Sequence, residues 1–180
     1  EVVPNGVDTD YFRATDDPVT PDSLIYVGGM TWFPNYDAIR YFLEEIWPLV
    51  KAEVPDATFN HIGRQTSDEF EKLSRKNPDL KFHGFVDDIR PEITRAAVYI
   101  VPLRIGGGTR LKILDALSMG SAIVSTSIGC EGIEVTDGED ILVADDPHTF
   151  ARKIIGLFRQ PEKREAMSLK ARQTALEKYS

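Results

Sequence analysis

Short apolar runs alternate with longer amphipathic segments along the whole chain. Leu24–Val27, Ala57–Ile62, Leu80–Phe82, Val98–Pro102, Ala122–Ser125 and Asp140–Val143 read as strands. Most are continuous hydrophobic stretches, the pattern of a sheet covered on both faces. A helix is predicted from a cap at Asn35 or Asp37 to about Lys51. Its apolar face is Ala38, Ile39, Phe42, Leu43, Ile46 and Leu49–Val50, and Pro48 should kink it or end its regular part. Further helices are predicted over Thr66–Lys76 with Phe70 and Leu73 inward, Asp87–Ala96, Thr109–Met119, Asp146–Phe158 and Pro161–Lys178. Val2–Val3 reads as a strand stub closed by the turn Pro4-Asn-Gly6, and the acidic, proline-dotted stretch Asp8 to Asp22 reads as loop. Strands alternating with helices predict an α/β fold, a Rossmann-like parallel sheet in a three-layer α/β/α sandwich. Such sheets bind ligands beyond the carboxyl ends of their strands. The glycines at 28–29, 63, 84 and 106–108 each follow a strand and converge on that edge.

One stretch changes this picture from fold to chemistry. From Arg104 to Gly120 the chain reads RIGGGTRLKILDALSMG, so a buried strand breaks at glycines and resumes as a helix. A helix start offers bare amides and the positive end of a dipole, a site suited to an anion and most often to phosphate. Arg104, Arg110 and Lys112 crowd the same spot, with Asp115 about one turn further on. Phosphate donors with a carboxylate behind them suggest a nucleoside diphosphate whose ribose diol is held by the acid. The plainer alternatives are a tight glycine turn, an Asp115 paired with Arg110, a solvated Arg104 and a Lys112 turned to solvent on the helix flank.

The 180 residues fit one domain, and a hydrophobic content of 42% supplies a core. A net charge of -8 argues against a nucleic-acid surface and isolates the cations of the motif against an acidic background. The single cysteine, Cys130, allows no intrachain disulfide and points to a reducing, cytoplasmic setting, with a peripheral position at the inner membrane face as an alternative. Cys130 reads as a small buried filler, not a nucleophile. His61, His83 and His148 are scattered, so no metal site is expected. Trp32, Phe33 and Trp47 are either core or a platform for a base or acceptor, and Trp32, beside the Gly28-Gly29 turn, is the better platform candidate. Arg64 either contacts a base or caps its strand. His83 to Val86 offers backbone contacts to a base, through Gly84, Phe85 and Val86, or is an ordinary turn. The start lacks Met and the end falls in a helical pattern, so an excised domain of a larger protein is expected.

With these residues laid out, the chain resembles the C-terminal Rossmann-like domain of a GT-B glycosyltransferase, of the retaining family 4 (group 1). The resemblance rests on Val3-Pro-Asn-Gly-Val-Asp8, Phe82-His-Gly-Phe-Val-Asp-Asp88, Pro102 to Gly120, Ser125-Thr-Ser-Ile-Gly-Cys-Glu-Gly-Ile133 and Glu177-Lys-Tyr-Ser180, in that order. It implies transfer of a hexosyl unit from a UDP- or GDP-linked sugar to a glycan, lipid or small-molecule acceptor, with no cofactor or metal. It also implies an N-terminal domain as partner, so that the isolated chain binds donor weakly and turns over nothing.

By that resemblance the diphosphate falls to Gly107, Gly108, Thr109, Arg110, Lys112, Arg104 and Gly29. The ribose falls to Asp115, the base to Arg64, Gly84, Phe85 and Val86, and the sugar to Gly106 and Glu131, the last of which reads equally as a solvated turn glutamate. Arg110 and Lys112 are the candidates for catalysis. Three departures stand out. The first of the family's paired glutamates falls on Gly107. The second falls on Asp115, shorter by roughly 1.5 Å. Gly29 and, approximately, Pro34 replace an Arg and a Lys that hold the diphosphate in relatives. Arg104, Arg110 and Lys112 are expected to take over that task, as in a glycine-rich subgroup of sugar transferases. The departures keep open a non-catalytic module that binds sugar nucleotides or a partner. A GT-B-type sugar-nucleotide epimerase is a third reading. A dinucleotide oxidoreductase is disfavoured, since no G-x-G-x-x-G follows the first strand.

Overall fold

The computed structural model describes residues 5–64, 67–107 and 110–180; the Val2–Val3 stub lies outside them. Its strands are β1 (Thr20–Val27), β2 (Thr58–Ile62), β3 (Leu80–Phe82), β4 (Ala96–Val101), β5 (Ile123–Ser125) and β6 (Leu142–Val143), in a 6-stranded sheet of order β3-β2-β1-β4-β5-β6. Every pairing is parallel, with Leu24 opposite Phe59 on one side and Val98 on the other. The order reverses direction between β1 and β4. Right-handed crossovers running opposite ways along a sheet deposit their helices on opposite faces, which makes the three layers.

The helices are α1 (Phe33–Tyr41), α2 (Trp47–Glu53), α3 (Asp68–Lys76), α4 (Arg90–Arg95), α5 (Leu111–Ser118), α6 (Pro147–Arg159) and α7 (Pro161–Lys178). α6 packs on α2 and over β4 and β5, while α7 packs on α5. Leu24, Ile25, Val98, Ile100, Ile113, Leu117, Ile123 and Ile154 are buried at the centre. Among the described residues no helix is long and apolar enough to cross a membrane.

Several local expectations are corrected. The helix cap is Trp32, not Asn35 or Asp37; Pro34 takes the first turn and Asn35 is buried. The regular α geometry does break just ahead of Pro48, although the helical rod continues through it. A π turn at Phe42–Ile46 joins α1 to α2, with the Trp47 amide reaching back to the Phe42 carbonyl. A wider turn ahead of a proline relieves its missing N–H and the clash of its ring with the preceding turn. α4 is shorter than predicted and β4 starts two residues earlier, because Ala96 pairs with Thr20. β1 starts four residues before the apolar run, past Pro21, with the register shifting between Thr20 and Leu24. The motif helix begins at Leu111, and β6 shrinks to Leu142–Val143 because Asp140 turns inward to accept from the Thr136 amide and the Thr174 hydroxyl.

Candidate functional site

The carboxyl ends of β1, β2, β3 and β4 meet at one edge, beside the switch point between β1 and β4. Crowding there explains two of the glycines. A Cβ on Gly63 would lie 2.2 Å from the Gly28 carbonyl oxygen, so the ends of β1 and β2 are pressed together. A Cβ on Gly28 would lie 2.8 Å from both the Lys112 ammonium nitrogen and Asn35 Nδ2. The first of the paired glycines is therefore small to admit a lysine from the far side of the switch point. Gly29 is roomier, with Arg64 O the nearest atom at 3.7 Å.

Lys112 does not point to solvent. Its Nζ donates to Asn35 Oδ1 at 2.7 Å and to the Tyr26 hydroxyl at 2.9 Å. Tyr26 donates to the same Asn35 oxygen at 2.6 Å, and Asn35 Nδ2 donates to the Gly29 carbonyl at 2.8 Å. Burial, with the Arg110 charge beside it, lowers the Lys112 pKa to about 7. Below this layer His61 donates from Nε2 to the Gly28 carbonyl at 2.8 Å, which leaves Nδ1 buried and, among the described residues, without a partner. Burial lowers its pKa to about 4, so it is neutral.

Arg110 caps α5 and is 3% exposed. Nη1 donates to the Gly107 carbonyl at 2.8 Å and Nε to the Ile128 carbonyl at 3.1 Å. Nη2 is buried and, among the described residues, has no hydrogen-bond acceptor; the nearest carboxylate is the exposed Glu131, 4.0 Å away. The chain folds over this guanidinium at Gly106, whose φ of 126 is open to glycine alone. A Cβ there would meet Arg110 Nη2 and the Trp32 ring, each at 3.3 Å. In the first turn of α5 the Ile113 amide already donates to the Arg110 carbonyl at 2.8 Å, while the Leu111 and Lys112 amides have no intrahelical acceptor. Two basic side chains and a helix N-terminus thus share one corner, and among the described residues neither has a carboxylate within hydrogen-bond distance. Leaving charge buried without an opposite partner is costly unless a ligand supplies it.

Asp115 lies one turn along α5. Burial raises its pKa to about 6, and among the described residues nothing donates a hydrogen bond to its carboxylate. It is not paired with Arg110. Its unmet acceptor capacity is what a vicinal diol would fill.

Arg104 departs from expectation. It turns away to α1, where Asp37 holds Nη2 at 2.7 Å and Nε at 3.1 Å, and it stacks over Tyr41 at 4.5 Å. Its charge is already matched by Asp37, on α1 and away from the start of α5. Gly108 and Thr109 lie outside the described residues. Gly107 is exposed, and a Cβ on it would meet nothing within 4 Å.

At the ends of β2 and β3 the Arg64 guanidinium lies 4.6 Å over the Phe85 ring, which is 60% exposed. Gly84, at φ 71, accepts from the Gly63 amide at 2.8 Å and turns the chain so that Phe85 stands outward while Val86 packs inward. Arg64, Gly84 and Phe85 are thus gathered beside the Gly29 turn; the Val86 side chain belongs to the core. Trp32 is 44% exposed on the other flank, Phe33 stacks with Tyr36 at 6.5 Å, and Trp47 is core. Cys130 is half-buried with Sγ 3.4 Å from the Thr126 carbonyl, and burial pushes its thiol pKa up. Among the described residues no three His, Cys, Asp or Glu side chains gather as a metal site would need.

Asn35, Tyr26 and His61 were not singled out from the sequence as site residues. The available signal was a polar residue on the buried face of a helix following a paired glycine.

Solved structures share this fold. They include the C-terminal domain of a glycosyl transferase group 1 family protein from Francisella tularensis (TM-score 0.75, 18% identity, 97% of this chain and 99% of that one). Sucrose-phosphate synthase from Thermosynechococcus elongatus superposes at a TM-score of 0.82 with 18% identity, over 100% of this chain and 48% of that one. The Anabaena protein HepE in complex with UDP and glucose gives 0.76 at 14% identity, over 100% and 53%. In sequence the chain is 29% identical over 140 residues to an uncharacterized 44.6 kDa protein in the cps region of Klebsiella pneumoniae, covering 74% of this chain. The chain spans 36% of the length of the curated relatives it matches. A family model described as glycosyl transferases group 1 matches residues 21–160, and the chain belongs to that family.

Proposed function

We propose that the chain is the donor-binding half of a retaining, family 4 glycosyltransferase with a separate N-terminal domain. It moves a hexosyl unit from a UDP- or GDP-linked sugar to a glycan, lipid or small-molecule acceptor. The observation that carries this reading is the corner formed by the buried Arg110 guanidinium, the Lys112 amine and the α5 N-terminus, where among the described residues the nearest negative charge is the exposed Glu131, 4.0 Å from Arg110 Nη2. A pyrophosphate brings negative charge into the corner itself. The UDP and glucose held by the Anabaena neighbour support a nucleotide-sugar ligand for this fold.

Sugar transfer breaks the anomeric C–O bond while negative charge builds on the leaving diphosphate. Preorganised donors aimed at that charge are the main catalytic resource for such a step. Arg110 Nη2, Lys112 Nζ and the first amides of α5 take that role. A charge-assisted hydrogen bond contributes about 1.5–3 kcal/mol. In this arrangement Asp115 holds the ribose diol, and Arg64 and Phe85 form the base platform with the Gly84 backbone. Trp32, Gly106 and Glu131 line the sugar side.

Thermal melting of the chain with UDP, GDP, ADP, their sugars and inorganic pyrophosphate tests this. A ligand at ten times its Kd stabilises by about 1.4 kcal/mol, which raises Tm by about 3–6 °C for a chain of this size. UDP or GDP raising Tm supports the reading, and a flat response to every nucleotide refutes it. One observation favours a second reading, a sugar-nucleotide-binding module without transfer: Gly107 leaves open space where the resemblance puts a glutamate. Donor hydrolysis or transfer by the full-length protein separates the two.

A further inference from the structure

Asn35 joins three elements of the candidate donor site through one amide. Its Nδ2 fixes the Gly29 carbonyl after β1, and its Oδ1 accepts from Tyr26 of β1 and Lys112 of α5. The proton count at Lys112 is informative. An ammonium carries three N–H donors, whereas a neutral amine carries two and a lone pair. The pocket offers Nζ two acceptors, Asn35 Oδ1 and the Tyr26 oxygen, whose own proton is committed to Asn35. Among the described residues there is no third oxygen or nitrogen acceptor, and the Tyr26 ring lies 4.4 Å from Nζ. Arg110, on the same helix, adds positive charge from the side, and no carboxylate opposes it within hydrogen-bond distance. A neutral Lys112 satisfies this cage completely and leaves its lone pair toward the open side of the site.

The geometry points to Asn35 as a positioning residue that presents Lys112 to the donor one proton short, so that seating a nucleoside diphosphate takes up a proton from solvent. This inference rests on the proposed donor reading. The proton comes from the buffer and adds to the Nζ lone pair, and the new N–H donates to a phosphate oxygen. The other titratable groups around Nζ do not compete for it. Burial holds Tyr26 of β1 neutral by raising its pKa beyond the ordinary tyrosine range, and His61 of β2, held near 4, is neutral as well. Arg110 stays charged. Asp115, one turn along α5 with its pKa near 6, is ionised above neutral pH. The Lys112 amine, lowered to about 7, is left as the group that titrates between pH 7 and 9.

The experiment has two arms. In the free chain, lysines carrying carbon-13 at Cε are titrated by NMR. One signal with a midpoint near 7, absent from Lys112→Met, is expected; a Lys112 midpoint above about 9.5, in the ordinary lysine range, overturns the inference. In the second arm UDP is titrated calorimetrically in buffers of different ionisation enthalpy. The phosphate groups of UDP titrate near 6 and contribute little above pH 7.5.

Uptake of about 0.9 proton at pH 8 is expected, with Kd weakening about 15-fold from pH 7.0 to 8.5, as follows when only the charged fraction binds. Asn35→Asp places a carboxylate against Lys112, so its midpoint should rise, uptake should fall below about 0.2 and the Kd change should shrink below about 3-fold. A merely structural role for Asn35 weakens binding without flattening its pH profile. Binding with uptake below 0.2 in the wild type, or an unchanged profile in Asn35→Asp, overturns the inference and leaves the donor reading standing. If UDP does not bind, the same titration is run with GDP, and absence of binding by either nucleotide overturns the inference and the donor reading together.

Discussion

Removing the Lys112 charge should stabilise the empty chain progressively more at lower pH. The perturbation is Lys112→Met, a substitution of similar length and shape. In the unfolded chain the amine has an ordinary lysine pKa of 10.5, and in the folded chain burial lowers it to about 7. A group whose folded pKa is depressed in this way must lose its proton to fold. The penalty is therefore full below pH 7 and fades as pH rises toward 10.5. At about 1.36 kcal/mol for each pKa unit, the full penalty is of order 5 kcal/mol. Between pH 7 and 9 it should shrink by about 2 kcal/mol.

The methionine carries no such penalty but forfeits the hydrogen bonds to Asn35 and Tyr26, about 1 kcal/mol each. The net prediction is a variant more stable than the wild type at pH 6–7, with an advantage that falls by about 2 kcal/mol by pH 9. Urea unfolding of both proteins at pH 6, 7, 8 and 9 measures this, because their difference cancels the titration of every other lysine. A stability difference that is flat across that range refutes the reasoning, since it means that Lys112 titrates alike in the folded and unfolded chain.

Three further outcomes follow from the same geometry. Arg110→Ala should weaken UDP binding about 10- to 100-fold, whereas Arg104→Ala, removing a half-exposed partner of Asp37, should leave UDP affinity within about 2-fold and cost at most ~1 kcal/mol; calorimetry and urea melts read both. Gly28→Ala should expel Lys112 or Asn35 and destabilise by about 1–3 kcal/mol, while Gly29→Ala should change stability by less than about 1 kcal/mol; equal costs at the two positions would contradict the crowding described. Asp115→Asn should reduce the preference for UDP over its 2′,3′-dideoxy analogue, since the carboxylate is the proposed acceptor for both hydroxyls; an unchanged ratio of Kd values removes Asp115 from the ribose site.

Burial pattern alone made most of the architecture legible. Leu80–Phe82 and Pro161–Lys178 fold over the residues their sequence predicts, because period, chain length and proline placement are local properties that the backbone obeys wherever it sits. The glycine-rich turn after β4, its cations and the nearby carboxylate could also be named in advance, since a strand, a glycine run and a helix start fix where amides cluster. What each side chain does at that edge is a different matter. Arg104 is matched by Asp37, 67 residues away, and Lys112 by Asn35, 77 residues away, on a helix from the other half of the sheet. Nothing within either neighbourhood distinguishes the arginine gripped by an aspartate from the one whose nearest carboxylate is 4.0 Å away. Parallel crossovers bring those residues together, and only then do distance and dielectric decide that Arg110 has no carboxylate nearer than 4.0 Å, that Lys112 loses affinity for its proton, and that Gly28 must stay small.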